Sequence, residues 1–242
     1  MARLQDMIAI TTISPSHKNF ENQLNAIKSW QDSGYKVVSL NSKLEIEQLK
    51  EFKGVEFIET TQTNEVLFKR PYVLISAIID HLKTIDNDYF LVINSDIVIN
   101  DKRGISEAIK QRSELGVIIF NRYDFDNDME LSKRYDLGFD GFFINKKWLN
   151  IFPKSVLCLG QCFWDYWLPY QCVLAKVPIF RFKEPYLYHK KHQIQYSSDD
   201  WKATGRIFEG EVSVLDPRVS GHRDVGRMSQ YVYEKIKNQI RQ

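Results

Sequence analysis

Short apolar runs alternate with segments of helical periodicity along the first half of the chain. The apolar runs predict strands at 7–13, 35–40, 55–58 and 89–93. Apolar positions at three- and four-residue spacing predict helices at 19–31, 44–52 and about 71–83. Strands that alternate with helices at short spacing are typical of βαβ units. We therefore predict an α/β, Rossmann-type fold with a mixed, mostly parallel central sheet and helices on both faces.

The alternation continues into the second half and then weakens. We predict a helix at about 103–113, a strand at 115–120, a polar mobile loop at 121–130 and a strand that ends at Ile144. A short helix at 147–152, a helix at about 163–176 and a strand at 177–182 follow. Beyond Tyr196 the sequence is polar and weakly periodic up to a helix at 231–240. We interpret most of this last segment as a solvated tail. The alternative is a segment that closes over the donor, with a diphosphate clamped by Arg206, Arg218, Arg223 and Arg227.

One strand ends in a polar triplet inside otherwise apolar sequence. The run at 89–93 stops at Asn94, Ser95 and Asp96, and the chain is apolar again at 97–99. In open α/β sheets, ligands bind outside the carboxyl ends of the strands. A carboxylate at such an end is able to hold a divalent metal, which a diphosphate leaving group requires. The triplet is therefore the first candidate for a functional site.

Polar residues also follow two other predicted strands. Thr11 and Thr12 end the first strand, and Asn41 follows the second. In a parallel sheet these ends lie on the same edge as Asp96, which predicts one shared site. No glycine-rich loop follows the first strand, which argues against a dinucleotide site, a P-loop and a sugar nucleotidyltransferase.

Composition and charge add few constraints. The 242 residues are 43% apolar and 26% charged, with a formal net charge of +2. These values are ordinary for a globular protein and disfavour a nucleic-acid partner, although basic residues at Lys183, Lys190 and Lys191 leave room for a local patch. The sequence shows neither a signal peptide nor an apolar run of membrane-spanning length. The three cysteines match neither a disulfide framework nor a zinc pattern, so we expect buried free thiols and a cytoplasmic protein.

Three motifs follow one another in a distinctive order. The first is the strand that ends in Asn94, Ser95 and Asp96. The second spans 138–149 and 159–168 and reads GFDGFFINKKWL and LGQCFWDYWL. The third is the pair His189 and His192. This ordered set resembles the GT-A-type glycosyltransferases over about residues 7–195, with Asn94 where many members have an aspartate.

The resemblance implies a metal-dependent enzyme that moves a sugar from a nucleotide-diphosphate sugar to an acceptor hydroxyl. Asp96 would coordinate Mn²⁺ or Mg²⁺ between the two phosphates. His189 or His192 would be a further ligand, and imidazole would favour Mn²⁺. The predicted metal ligands are Asp96, His189 and His192.

The resemblance also assigns the two substrates. Base, ribose, phosphate and sugar of the donor would contact Thr11, Thr12, Asn41, Arg70, Asn94 and Ser95. Asp165 would be the general base that deprotonates the acceptor hydroxyl, in a direct displacement. The donor-sugar and acceptor pockets would be shaped by Asp140, Gly141 and Trp164.

Each assignment has a simpler alternative. Asp96 would suit a solvated turn, and Asp165 would suit the first turn of a helix, where the dipole favours an acid. His189 and His192 flank two lysines and would suit a basic surface. Trp164 would suit the core. A non-catalytic nucleotide- or glycan-binding protein on the same fold is therefore the alternative hypothesis.

The motif order predicts one domain over residues 1–242. Residues 1–120 would form the nucleotide-binding half and residues 121–195 the acceptor and catalytic half. Residues 196–242 would form a C-terminal segment, and the acceptor would be a glycan or another hydroxyl compound.

Overall fold

The structure is a computed structural model that describes residues 7–16, 20–101, 104–182, 184–192 and 196–241. The predicted helix starts at Asn19 and Arg103, and the basic residue Lys183, lie outside the described residues. The α-helices are α1 (Phe20–Asp32), α2 (Lys43–Ile46), α3 (Glu65–Phe68), α4 (Ile75–Thr84), α5 (Ile105–Ser113), α6 (Trp164–Leu174), α7 (Ser198–Ser213) and α8 (Val225–Lys237). Short 3₁₀ turns span Met129–Leu131 and Lys146–Ile151.

The strands form two sheets. The strands are β1 (Met7–Thr11), β2 (Lys36–Asn41), β3 (Val55–Glu59), β4 (Tyr89–Ile93), β5 (Ile97–Ile99), β6 (Val117–Phe120), β7 (Arg122–Phe125), β8 (Lys133–Arg134), β9 (Gly141–Asn145), β10 (Ile179–Arg181), β11 (Leu187–Lys190) and β12 (Ile240–Arg241). The large sheet has the order β12-β10-β6-β9-β4-β1-β2-β3 and the small sheet the order β5-β11-β7-β8.

The large sheet is mostly parallel, as predicted. Strand β1 pairs in parallel with both β2 and β4, and β10 pairs in parallel with β6. Strand β9 is antiparallel to its neighbours β4 and β6, which makes the sheet mixed. Because β1, β2 and β4 point the same way, their carboxyl ends share one edge, which confirms that prediction.

Each face of the large sheet carries its own apolar core. Alternate side chains of β1 separate, with Ile8 and Ile10 on one face and Met7 and Ala9 on the other. The first face packs against α4, α6, α7 and α8, and the second against α1 and α5. Burial on both faces explains why the β1 and β4 sequences are continuous apolar runs rather than alternating ones. The predicted α/β class is confirmed.

The small sheet brings the late histidines back to the end of β4. Strand β11 lies between β5 and β7, with His189 opposite Ile97 on one side and Asp124 on the other. Ile97 directly follows Asp96 in the chain. Residues almost one hundred positions apart are therefore adjacent through strand pairing.

Two sequence expectations about secondary structure are wrong. The region 121–130 contains β7, whose polar side chains have partners within the protein: Asp124 bonds to His189 on the neighbouring strand β11, and Arg122 bonds to Asp124 and Asp140. The region after Tyr196 is mostly helical and packed, not a solvated tail. Helix α7 buries Gly205 and Phe208 against α8, whose Val225 Cγ1 would lie 2.3 Å from a Cβ at Gly205.

Two smaller features complete the description. The cysteines Cys158, Cys162 and Cys172 are buried and unpaired, as expected. Within the described residues, none of the helices combines the length and the apolar character that a membrane span requires.

Candidate active site

A cleft of about 820 Å³ lies at the edge where β1, β2 and β4 end. This volume is within the range of small-molecule sites in proteins, which is roughly 300–1,000 Å³. The structure brings most of the predicted site residues to its wall. They are Thr12, Asn41, Arg70, Asn94, Ser95, Asp96, Asp140, Trp164, Asp165, His189 and His192.

Three predicted residues are placed mainly in the interior. Thr11 is the last residue of β1, and its side chain is fully buried. Successive side chains point to opposite sides of an extended chain, so Thr12 lines the cleft and Thr11 does not. Gly141 is off the cleft wall, and a Cβ there would lie 2.5 Å from Leu187 Cδ1. Trp164 reaches the wall but is 2% exposed and packs edge-on against Phe142.

Asp96, His189 and His192 converge at one end of the cleft, which we call the histidine end. One ligand atom from each lies within 4.8 Å of the other two. Asp96 Oδ2 is 3.0 Å from His192 Nε2 and 3.6 Å from His189 Nε2. All three side chains are largely shielded from solvent. One carboxylate oxygen and two imidazole nitrogens are a donor set that suits a divalent transition metal such as Mn²⁺.

A further carboxylate orients the ring of His189. Asp124 Oδ1 accepts a hydrogen bond from His189 Nδ1 at 3.0 Å, which directs Nε2 toward Asp96. Histidine ligands of metals commonly donate their second nitrogen to a carboxylate in this way, which fixes the tautomer. The arrangement therefore fits a metal ligand better than a surface histidine.

Electrostatics at the histidine end favour positive charge. Burial lowers the pKa of His189, but its hydrogen bonds to Asp124 and Asp96 outweigh burial and raise it to about 9. Burial raises the pKa of Asp124, but hydrogen bonds from His189 and Arg122 hold it below its usual value. Asp124 is therefore held in its ionised form, and its charge stabilises positive charge on its neighbours.

Arg122 links the histidine end to the floor of the cleft. Its Nε donates to Asp124 Oδ1 at 2.8 Å and its Nη1 donates to Asp140 Oδ1 at 2.9 Å. Its guanidinium also lies 4.3 Å from the ring centroid of Tyr135. Sequence reasoning missed Arg122 and Asp124. The available signal was a polar run directly after a buried strand, the same signal that identified Asp96.

Two buried oxygens on the cleft floor have no hydrogen-bond partner. Asp140 Oδ2 and Asn94 Oδ1 are both unpaired, although Asn94 Nδ2 donates to Asp140 Oδ1 at 3.4 Å. An unpaired buried acceptor costs about 1–3 kcal/mol, and of the buried unpaired side-chain atoms among the described residues these two belong to residues of the cleft wall. Both oxygens are suited to accept hydrogen bonds from ligand hydroxyl groups.

The strand-end residues near β1 and β2 are largely occupied by contacts within the protein. Asn41 is 1% exposed, donates to Ile13 O at 2.7 Å and accepts from Ser39 Oγ at 2.7 Å. Ser95 Oγ donates to Gln23 Oε1 at 2.7 Å. These groups therefore shape the wall and offer few free polar atoms. Arg70, in contrast, is exposed at the cleft.

Asp165 lines the cleft from the first turn of α6. Phe163 precedes the helix with φ 69°, a left-handed turn that aims the first helical residues into the cleft. A Cβ built on Gly138 would lie 3.1 Å from Asp165 Oδ2 and 3.2 Å from Tyr135 Cε1. Glycine at 138 therefore allows the carboxylate to approach the backbone of the 135–140 segment.

The environment of Asp165 makes its carboxyl group a weak acid. Burial, and next the charge of Asp140, raise its pKa to about 7, although its own backbone amide and Arg122 act in the opposite direction. A general base is most effective when its pKa lies near the working pH. The pKa of Asp165 therefore lies in the range that suits a general base.

The fold defines the class of protein that this chain resembles. The large mixed sheet, with its cleft at the strand ends, is a GT-A-like fold. Neither a protein-family model nor a curated protein sequence matches the chain.

Solved structures of S. aureus TarS are similar to it. TarS 1–349 in complex with UDP-GlcNAc aligns with a TM-score of 0.55 and 13% identity, over 97% of this chain and 72% of that one. A longer TarS structure aligns with a TM-score of 0.52 and 14% identity, over 97% of this chain and 43% of that one. TarS 1–349 in complex with UDP aligns with a TM-score of 0.51 and 16% identity, over 96% of this chain and 70% of that one. At this identity the likeness establishes the fold.

Proposed function

We propose that the protein is a metal-dependent glycosyltransferase that moves a sugar from a nucleotide-diphosphate sugar to an acceptor hydroxyl. The observation that carries this proposal is the meeting of two groups at one cleft. These are the cluster of Asp96, His189 and His192, and the carboxyl of Asp165 with its raised pKa. A binding protein would need neither a second carboxylate tuned near neutral pH nor an oriented histidine pair.

The donor would lie along the strand ends, with its diphosphate at the histidine end. Asp96, His189 and His192 would hold Mn²⁺ or Mg²⁺, and the bound ion would neutralise the charge that develops on the departing diphosphate. Arg70, exposed at the cleft, is placed to contact the ribose or a phosphate. The TarS complexes contain UDP and UDP-GlcNAc, which favours a uridine nucleotide as the donor carrier.

The sugar of the donor would contact the cleft floor. Its hydroxyl groups would donate to the unpaired Asn94 Oδ1 and Asp140 Oδ2, which satisfies two buried acceptors at once. Arg122 holds the other oxygen of Asp140 and keeps this carboxylate in position.

Asp165 would act as the general base. Its carboxylate would take the proton of the acceptor hydroxyl as that oxygen forms a bond to the anomeric carbon. The bond from this carbon to the diphosphate oxygen breaks in the same displacement, and the nucleoside diphosphate leaves. Direct displacement from the opposite face would invert the anomeric configuration.

Calorimetric titration tests the donor half of the proposal. The protein is titrated with UDP, GDP, dTDP and CMP, with Mn²⁺ and with chelator. We expect one nucleoside diphosphate to bind only with Mn²⁺ and Asp96→Ala to lose this binding. The matched control is Asp86→Ala, an exposed acid in the turn before β4, which we expect to bind normally.

Two results would contradict the proposal in different ways. If the folded protein binds none of these nucleotides, the nucleotide-sugar donor is wrong. The second result is binding of a nucleoside diphosphate with Mn²⁺, but neither hydrolysis of the corresponding nucleotide sugar nor transfer of its sugar to any acceptor. The hypothesis of a non-catalytic binding protein would then be favoured.

A further inference from the structure

The wall around Asp165 is built from aromatic side chains of separate segments. Tyr135 precedes β9, Tyr166 lies in α6, Tyr196 lies between β11 and α7, and Trp201 lies in α7. All four are partly exposed in the cleft, whereas the core aromatics of this protein are fully buried. A partly exposed aromatic face offers an apolar surface, and its polar edge still reaches solvent or ligand.

These rings stand close to the carboxyl group. Tyr135 Cε1 and Asp165 Oδ2 both lie within 3.2 Å of the position that a Cβ would occupy at Gly138. Burial raises the pKa of Tyr196, and so do the nearby groups Cys162, Tyr135 and Asp165. The pKa of Tyr166 is raised by burial and by Asp165. The aromatic side chains and the carboxylate therefore belong to one subsite, which we call the aromatic end.

The charges at the aromatic end are negative. Asp140 and Asp165 both line it, and the adjacent Arg122 is already shared between Asp124 and Asp140. Among the residues that the structure describes, the cleft wall contains no lysine, and its second arginine, Arg70, precedes α4. An anionic molecule at this subsite would meet Asp140 and Asp165, while the nearest cation, Arg122, is already paired with two carboxylates. Like charges in contact disfavour binding.

We propose that the acceptor is an uncharged, hydroxyl-rich molecule of the sugar class that stacks on the aromatic end. Its apolar ring face packs against Tyr196, the most exposed of these rings, and its reacting hydroxyl lies at Asp165. This inference rests on the proposed function, because Asp165 needs an acceptor hydroxyl only if a sugar is transferred. Acceptors with a phosphate or carboxylate beside the reacting hydroxyl are excluded by charge.

Matched pairs of small sugars test the inference on the full chain. The neutral probes are methyl β-glucoside, methyl β-galactoside and cellobiose, and the anionic probes are methyl β-glucuronoside and glucose 6-phosphate. Binding is measured by saturation-transfer NMR with UDP and Mn²⁺ present, up to about 50 mM, because a single stacked ring gives weak affinity. UDP binding is measured by calorimetry on the same sample.

We expect at least one neutral probe to bind and its anionic counterpart to bind at least about tenfold more weakly. Tyr196→Ala should weaken the neutral probe about tenfold, whereas the matched Tyr196→Phe, which keeps the ring, should stay within about twofold. Asp165→Asn should narrow the gap between neutral and anionic probes, because it removes one of the two repelling charges.

Three results would overturn the inference. They are the absence of binding by every neutral probe, equal or tighter binding by an anionic probe, and an unchanged neutral affinity in Tyr196→Ala. If none of UDP, GDP, dTDP and CMP binds, the proposed function is wrong and the inference fails with it. If UDP binds with Mn²⁺ and the neutral preference is absent, only the inference fails.

Discussion

At the histidine end of the cleft, Asp124 is paired with both Arg122 and His189, and its pKa is held below the usual range. At the aromatic end, Asp165 makes no salt bridge with any described residue, and its pKa is raised to about 7. Asp165 lines the cleft, whereas Asp124 contacts the cleft residue His189, and the two carboxyl groups differ mainly in their neighbours. The neighbours of Asp124 therefore stabilise its charged form, and those of Asp165 favour its protonated form.

The difference shows that residue type alone does not define a role in this cleft. A carboxylate surrounded by cationic and hydrogen-bonding partners stabilises a fixed charge, and a desolvated one beside another acid becomes a base that titrates near neutral pH. Replacing single residues at either end should therefore have separable effects.

The largest expected effect follows from Asp165→Asn. The amide cannot accept the acceptor proton, so we expect the turnover rate to fall by about 10²- to 10⁴-fold. UDP affinity with Mn²⁺ should change by less than about twofold, because Asp165 lies at the aromatic end. Steady-state transfer kinetics and calorimetry measure both. The control Asp199→Asn, on the exposed face of α7, should behave like wild type. If Asp165→Asn lost UDP binding and turnover to the same extent, the two ends of the cleft would not have separate roles.

For Asp124→Asn we expect a smaller effect, and we expect it on metal binding. Loss of the carboxylate that orients His189 should weaken Mn²⁺ binding by about 10- to 100-fold, as for other groups that orient a metal ligand. Mn²⁺ affinity is measured by electron paramagnetic resonance titration, with the exposed Glu130→Gln as control. An Mn²⁺ affinity unchanged in Asp124→Asn would mean that His189 is not a ligand.

The pH dependence of the transfer rate tests the role of Asp165. Since Asp165 must be deprotonated to act, the rate should rise as pH increases through about 7 and level off above it. Asp140→Asn removes a charge that raises this pKa and leaves Arg122, which lowers it. The rising limb should therefore move to lower pH. A limb that moves to higher pH, or stays in place, would contradict the assignment of Asp165 as the base.

The smallest expected effect concerns stability. Because the folded-state pKa of Asp165 lies above its usual value of 3.8, the folded protein binds more protons than the unfolded chain between about pH 4 and 7. Ionised Asp165 therefore destabilises the fold as pH rises through this window, fully so above about pH 7. Asp165→Asn should raise the free energy of unfolding by about 1–3 kcal/mol at pH 8 and by little at pH 4.

Urea unfolding at the two pH values measures this difference. A variant that is less stable than wild type at pH 8 would show that Asp165 contributes favourable contacts that outweigh its desolvation.

Several features of the fold could be predicted because they depend on local patterns. The buried strands β1 and β4 are continuous apolar runs, and α1 and α4 show helical spacing. The polar triplet after β4 predicted a ligand site because parallel strands end at a common edge. The helix α7 was missed because Thr204 and Gly205 face the core there, and close packing of small residues carries no apolar periodicity.

The sequence by itself determined the alternation of strands and helices, the position of Asp96 at a strand end and the place of Asp165 in the first turn of α6. Only the tertiary structure decided that His189 lies beside Asp96 and Asp124, because β11 pairs between β5 and β7 over long sequence separations. The tertiary structure is also the cause of the raised pKa of Asp165. Desolvation and the charge of Asp140 arise from packing between distant segments, and no local pattern encodes them.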